Sequence, residues 1–118
     1  MKILITGIKG VVGTKLKESL LSMGHDVFGV DLYHTNEKYS HKIKNNEEDN
    51  YYRCDISEFR QIQRVIDSAQ PDLVYNCAAE FGRWNGENFY EKVWKSNAIG
   101  MKNLIRLQED KRFKMVHC

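Results

Sequence analysis

Three glycines, Gly7, Gly10 and Gly13, recur at intervals of three residues near the amino terminus. They follow an apolar run at residues 3–5 and lead into a stretch whose apolar residues have helical spacing, namely Val12, Leu16, Leu20 and Met23. Glycine lets the backbone turn tightly and approach a phosphate closely, and the free N–H groups at the start of a helix attract an anion. This strand–turn–helix pattern predicts a site for the pyrophosphate of a dinucleotide.

An acidic residue stands at the position where such a site needs one. Asp31 ends a second apolar run, residues 27–30, and lies eighteen residues after Gly13. A carboxylate there accepts hydrogen bonds from the adenosine ribose hydroxyls and repels a 2′-phosphate. No arginine occupies residues 32–37, so the sequence favours NAD over NADP, with Lys38 and His34 as the residues that argue the other way. The alternative is that Asp31 is a solvated strand end.

The elements that must position these residues alternate along the chain. Helical patterns occupy residues 11–23, ended by Gly24, residues 59–69, with Ser57 as the predicted N-cap, and residues 89–109. Residues 33–50 are predicted to be a polar surface excursion and 80–88 a loop. The strand patterns lie at residues 2–6, 27–31, 51–55, 73–79 and 113–118. This order predicts an α/β fold with right-handed crossovers and a parallel sheet covered on both faces.

Composition excludes several classes of protein. The 118 residues predict one domain, and a net charge of +2 without a basic cluster argues against nucleic-acid binding. No apolar run approaches the roughly 20 residues of a membrane span. Cys54, Cys77 and Cys118 are widely spaced, as are the four histidines, so we predict no metal site and reduced thiols in a cytoplasmic protein.

Five motifs, in order, resemble those of the NAD-dependent epimerase/dehydratase family, which belongs to the extended short-chain dehydrogenase/reductases and acts on nucleotide sugars. The motifs are Thr6–Gly13, Val30–Asp31, Cys54–Ile56, Asn76–Glu80 and Ser96–Ile105. The resemblance implies a Rossmann-like, doubly wound parallel sheet of about five strands in the order 3-2-1-4-5. In that order the strand at 113–118 is an exposed edge, which predicts dimerisation, as a homodimer, or aggregation through these residues.

The resemblance also implies which residues touch the cofactor. They are Gly7, Lys9, Gly10, Val11, Val12, Gly13, Asp31, Leu32, Asp55, Ile56, Cys77, Ala78, Ala79 and Asn97. Glu80 and Arg83 are the candidate substrate contacts, with Trp84 beside them. The resemblance further implies that Asn97 interrupts its helix and helps to order the active site. Four residues have alternatives: Asp55 as a strand-end cap, Asn97 as a partner for a backbone group in a buried helix, Arg83 solvated and Trp84 packed on the sheet rim.

The family's catalytic residues have no counterpart in these 118 residues. The family uses a Ser or Thr after the fifth strand and a later Tyr-x-x-x-Lys pair, and none of the six tyrosines here has a lysine four residues on. We therefore interpret residues 1–118 as an incomplete, truncated NAD(P)-binding domain that is inactive alone, without the substrate domain. The parent protein would oxidise a sugar hydroxyl with bound NAD. The alternatives are a non-catalytic NAD-sensing or scaffolding module and a small-carbonyl reductase of the same superfamily.

Overall fold

The computed structural model describes residues 1–33, 50–80 and 90–118. In these ranges five strands, all parallel to their neighbours, form one sheet in the order β3-β2-β1-β4-β5. The strands are β1 (Lys2–Thr6), β2 (Asp26–Asp31), β3 (Tyr51–Arg53), β4 (Leu73–Asn76) and β5 (Lys114–His117). The predicted α/β class, Rossmann-like topology and strand order are confirmed.

The helices connect successive strands. They are α1 (Val11–Ser22), α2 (Phe59–Ala69), α3 (Tyr90–Val93) and α4 (Gly100–Lys111). A π-helical segment, Trp94–Ile99, joins α3 to α4, so residues 90–111 form one helical run with a wider turn in its middle. The predicted helix at 89–109 is confirmed over the described residues, but the apolar spacing gave no sign of the π-helical turn.

The two faces of the sheet pack against different helices, as alternation along β1 requires. Ile3 and Ile5 pack with Leu20 of α1 on one face. On the other face, Leu4 belongs to a larger cluster that includes Ile62 of α2 and Leu104 of α4. The sheet is therefore doubly wound.

Two glycines allow close packing by isoleucines from the segments that follow β1 and β3. A methyl group on Gly29 of β2 would lie 2.1 Å from Cδ1 of Ile8, and one on Gly100 would lie 2.5 Å from Cδ1 of Ile56. Both isoleucines are buried. Through these contacts the turn before α1 packs against β2, and the start of α4 packs against the segment after β3.

Several local predictions were wrong. Ser57 does not cap α2: the N-cap is Glu58, without a side-chain hydrogen bond, while the N–H and Oγ of Ser57 donate to Oδ1 of Asp55 at 2.9 and 2.7 Å. Strands β3 and β4 end earlier than predicted, at Arg53 and Asn76. The predicted excursion and loop, apart from residues 33, 50 and 80, lie outside the described residues. No helix within the described ranges is long and apolar enough to cross a membrane.

Candidate functional site

A cavity of about 510 Å³ opens at the carboxyl edge of the sheet. It lies where the chain's path reverses direction, since β2 and β3 follow on one side of β1 and β4 and β5 lie on the other. Parallel α/β sheets bind their ligands at this switch point, and the volume is that of a ligand site. The cavity is lined by Gly7, Lys9, Gly10, Val11, Val12, Gly13, Val30, Asp31, Leu32, Tyr33, Cys54, Asp55, Ile56, Cys77, Ala78, Ala79, Glu80 and Ser96.

The glycine-rich turn forms the floor of the cavity. Gly7 has a φ of +68° and its N–H donates to the Val30 carbonyl at 2.9 Å, which ties the turn to β2. A methyl group on Gly7 would lie 2.9 Å from the backbone of Ala78, and one on Gly13 would lie 2.3 Å from the carbonyl oxygen of Gly7. Glycine is thus required at both positions by close backbone packing, and at Gly7 also by its left-handed conformation.

The amino terminus of α1 faces this cavity with its backbone groups available. Its N-cap is Gly10, which offers no side chain to the free N–H groups, and no acidic residue lies in the first turn. Val11 and Val12 are 86% and 58% exposed. The unpaired amides and the positive end of the helix dipole therefore favour an anion at this point.

Asp31 is held in place by the turn itself. Its Oδ2 accepts the Lys9 N–H at 2.9 Å and its Oδ1 accepts the Leu32 N–H at 2.8 Å. Each carboxylate oxygen keeps a further lone pair for a ligand hydroxyl. The Lys9 ammonium lies 4.7 Å from the ring centre of Tyr51. Asp31 is therefore an oriented carboxylate at the cavity wall, not a solvated strand end.

The segment after β3 closes the same side of the cavity. Asp55 acts as a turn-forming cap through Oδ1, as the alternative interpretation of this residue expected, and it also lines the cavity. Burial, and secondarily the negative charge of Asp55, raises the pKa of the Cys54 thiol to about 12. Cys54 is therefore a neutral, unreactive thiol at ordinary pH.

Buried polar groups fix the opposite wall. Thr6 donates its hydroxyl to Oδ1 of Asn76 at 2.6 Å, and the Ala78 N–H donates to the Thr6 hydroxyl at 3.1 Å. The side chain of Asn97 makes two hydrogen bonds with the backbone of Glu80, both 2.9 Å long. The backbone of residues 78–80 is thereby held between β1 and the π-helical segment.

The structure brings nearly all of the sequence-predicted site residues to this one cavity. Asn97 does not line it; it lies in the π-helical interruption of the helix and holds the backbone of Glu80 by two hydrogen bonds. Arg83 and Trp84 lie outside the described residues, as do His34 and Lys38. The predicted contacts omit four lining residues, Val30, Tyr33, Cys54 and Ser96. Three of these lie within the motifs that carry the resemblance, and Tyr33 directly follows Leu32 in the sequence.

Potential metal ligands are not clustered in the described part of the chain. No group of three or more His, Cys, Asp or Glu side chains there could hold a metal ion. The cavity is lined by backbone groups, small side chains and the carboxylates of Asp31, Asp55 and Glu80.

A doubly wound parallel sheet with a glycine-rich turn, an open helix amino terminus and an acid at the end of β2 defines a dinucleotide-binding fold. The profile of the NAD dependent epimerase/dehydratase family matches residues 3–118, and the chain belongs to that family. It is 33% identical over 113 residues to Protein CapI of Staphylococcus aureus, and 32% identical over 114 residues to UDP-glucuronate 4-epimerase of Thermodesulfobacterium geofontis. These matches cover 89% and 91% of this chain but 33% and 35% of the relatives, so the chain spans about a third of their length.

Solved structures have the same fold. The enzyme WbmG of Bordetella bronchiseptica, in complex with NAD and UDP, aligns with a TM-score of 0.82 at 22% identity. The alignment covers 99% of this chain and 36% of that one. UDP-glucose 4-epimerase of Thermus thermophilus, in complex with NAD, aligns with a TM-score of 0.81 at 21% identity, covering 95% and 35%.

Proposed function

We propose that this chain binds NAD in the cavity at the carboxyl edge of its sheet. The single observation that carries the proposal is the position of Asp31. Its carboxylate lines the cavity and is fixed to the glycine-rich turn by a hydrogen bond from the backbone N–H of Lys9. This places a hydroxyl acceptor on the same wall as the anion-attracting start of α1. The adenosine ribose binds at Asp31 and the pyrophosphate at the amides of Val11 and Val12. The nicotinamide half lies along Ala78 and Ala79.

We further propose that the whole protein is a nucleotide-sugar epimerase or dehydratase. Its NAD would accept a hydride from a sugar hydroxyl carbon. The sequence similarity to UDP-glucuronate 4-epimerase supports this substrate class. The 118-residue chain is inactive by itself, because it contains no Tyr-x-x-x-Lys pair and spans about a third of its relatives. Its described cysteines are free thiols, which suits the cytoplasm.

Calorimetry with NAD and with NADP tests the cofactor assignment. We expect NAD to bind more tightly than NADP, because the Asp31 carboxylate repels a 2′-phosphate. Asp31→Ala should weaken NAD binding by about tenfold, equivalent to about 1.4 kcal/mol, and reduce the preference for NAD. Asp26→Ala is the matched control, because it removes an exposed carboxylate at the far end of the same strand.

Two results would contradict the assignment. One is tighter binding of NADP than of NAD by the unaltered chain. The other is an equal loss of NAD affinity in the Asp31→Ala and Asp26→Ala variants, since that would show an effect of net charge alone. Turnover of a UDP-sugar by the 118-residue chain would separately contradict its proposed inactivity.

A further inference from the structure

Two cysteines lie side by side just beyond the ends of β4 and β5. The register pairs Asn76 with His117, so Cys77 and Cys118 are the next residues along neighbouring parallel strands. The Cys118 N–H donates to the Asn76 carbonyl at 3.1 Å, so the hydrogen bonds between β4 and β5 continue as far as Cys118. Cys77 packs with the cluster on the α1 face of the sheet. Met115 packs with the opposite cluster, so alternation places Cys118 on the α1 face as well.

The geometry of this pair suits a covalent bond. The two Sγ atoms are 3.3 Å apart. A disulfide needs about 2.05 Å between sulfurs and about 4.4–6.8 Å between Cα atoms. Neighbouring strands are about 4.8 Å apart, so the backbone already satisfies the second requirement. The sulfurs must approach by only about 1.2 Å, which side-chain rotation supplies. Cys54 is buried in the cluster on the other face and cannot compete.

We propose that Cys77 and Cys118 are an oxidisable dithiol that closes to an intramolecular disulfide at the edge of the cofactor cavity. The oxidant is a hydroperoxide. The Cys118 sulfur attacks one peroxide oxygen, the O–O bond breaks, and with hydrogen peroxide one water leaves, giving a sulfenic acid. The Cys77 sulfur then attacks the Cys118 sulfur, the S–O bond breaks and a second water leaves with the Cys77 proton. Two thiols are oxidised and one peroxide is reduced.

The environments of the two thiols assign their order of reaction. Within the 118-residue chain Cys118 is exposed, whereas Cys77 is partly buried. Burial, and then the hydrogen bond with Cys118, raises the pKa of the Cys77 thiol to about 12. Because the thiolate is the nucleophile, Cys77 is a poor first target for an oxidant. Cys118 therefore reacts first, and Cys77 resolves the sulfenic acid from hydrogen-bonding distance.

The bond is coupled to the cavity through Cys77, which lines it. The backbone at residues 77 and 78 packs against Gly7 without spare room, and Ala78 is held by Thr6. Because this backbone is fixed, closing the bond reorients the Cys77 side chain and so changes the shape of the cavity wall beside the glycine-rich turn. This part of the inference rests on the proposed binding of NAD. We expect the disulfide to weaken NAD binding by about fivefold or more, and bound NAD to oppose disulfide formation by the same factor.

Peptide mapping of the 118-residue chain tests the bond itself, without any cofactor. The chain is treated with hydrogen peroxide at low protein concentration, its remaining thiols are alkylated, and the peptides are analysed by mass spectrometry. We expect one cross-link, between Cys77 and Cys118, with the loss of two hydrogens and full reversal by a dithiol reductant. Cys54→Ala should form the same cross-link, and Cys118→Ser should form none. Oxidation of Cys118 to sulfinic acid without a cross-link, or cross-links that involve Cys54, would overturn the proposal.

Calorimetry then compares NAD binding to the reduced and the cross-linked chain. Weaker binding to the cross-linked chain supports the coupling, and equal or tighter binding overturns it. If the reduced chain does not bind NAD, the proposed function and the coupling fail together, while the cross-link result stands by itself. Cys118→Ser treated with peroxide is the control, because its NAD affinity should not change.

Discussion

Gly13 is the most closely packed residue of the glycine-rich turn, and its surroundings are backbone atoms that cannot move aside. A methyl group there would lie 2.3 Å from the Gly7 carbonyl oxygen and 2.7 Å from the Ile8 Cα, whereas one on Gly10 would lie 3.3 Å from its nearest neighbour, the Gly7 carbonyl oxygen. We expect Gly13→Ala to lower the free energy of unfolding by about 1–3 kcal/mol, and Gly10→Ala by clearly less. Urea denaturation of both variants measures the difference. Equal losses would show that the turn relaxes freely.

The buried thiol of Cys54 makes the free energy of unfolding of the chain depend on pH in alkaline solution. Its pKa is raised from 9.0 to about 12 in the folded state, so the unfolded chain loses this proton first as the pH rises. The contribution of the thiol to stability is complete below pH 9 and is lost as the pH rises towards 12, at up to about 1.4 kcal/mol per pH unit.

Denaturation at several pH values, for wild type and Cys54→Ala, isolates this contribution from the titration of lysines and tyrosines. The advantage of the wild type should shrink steadily above pH 9. A constant difference between the two proteins from pH 8 to pH 11 would contradict the assignment.

At the scale of elements, two helices end on a residue with an unfavourable backbone conformation. Gln70 after α2 and Arg112 after α4 have left-handed φ values of 47° and 65°. Glycine adopts this conformation without the Cβ clash and is the usual residue at such helix ends.

We therefore expect Gln70→Gly and Arg112→Gly each to raise the free energy of unfolding by about 0.5–1 kcal/mol. Gly24→Ala is the reverse test, since Gly24 has a φ of +86° and a methyl group there would meet nothing within 4 Å. It should be destabilising by a similar amount through strain alone. Thermal denaturation of the three variants checks both signs, and a loss of stability in the two glycine variants would refute the argument.

The elements also show how far the sequence alone could lead. Short apolar runs and helical spacing predicted every described strand, because burial imposes those patterns directly on residues such as Ile3, Leu4 and Ile5. The strand order came from the resemblance to the family. Ser57 misled because the helix begins at Phe59 with Glu58 at the N-cap, while the N–H and hydroxyl of Ser57 both donate to Asp55. The apolar spacing predicted a continuous helix because each side of the π-helical turn keeps its own helical spacing, and only the resemblance, through Asn97, indicated an interruption. The side chain of Asn97 hydrogen-bonds to the backbone of Glu80, seventeen residues away, and no local pattern encodes such a contact.

At the scale of the whole molecule, β5 pairs on one side only within the described residues. Val116, on this strand, is 43% exposed, and its unpaired backbone edge can accept another strand. We expect the 118-residue chain to self-associate through this edge, as proposed for the strand at 113–118. Val116→Lys should shift the assembly towards monomer, because two charges would face each other across paired edges.

Light scattering over a range of concentrations measures this change. Ile105→Lys is the matched control, because Ile105 is 42% exposed and lies on α4, away from the strand edge. A wild-type chain that stays monomeric at high concentration, or an equal effect of the two lysines, would contradict association through β5.

The interlocking of Ile8 with Gly29, and of Ile56 with Gly100, has a consequence for the evolution and engineering of this fold. In each pair the isoleucine belongs to a segment that touches the cofactor cavity, and the glycine belongs to an element far from that segment in the sequence. A side chain at either glycine would clash with its isoleucine. The two positions of each pair should therefore co-vary, with a larger residue at one accompanied by a smaller residue at the other. Exchanging the glycine-rich turn for that of a homologue with different cofactor preference would therefore require residue 29 to be exchanged with it. The glycine-rich turn and residue 29 therefore form one packed unit, although they are far apart in the sequence.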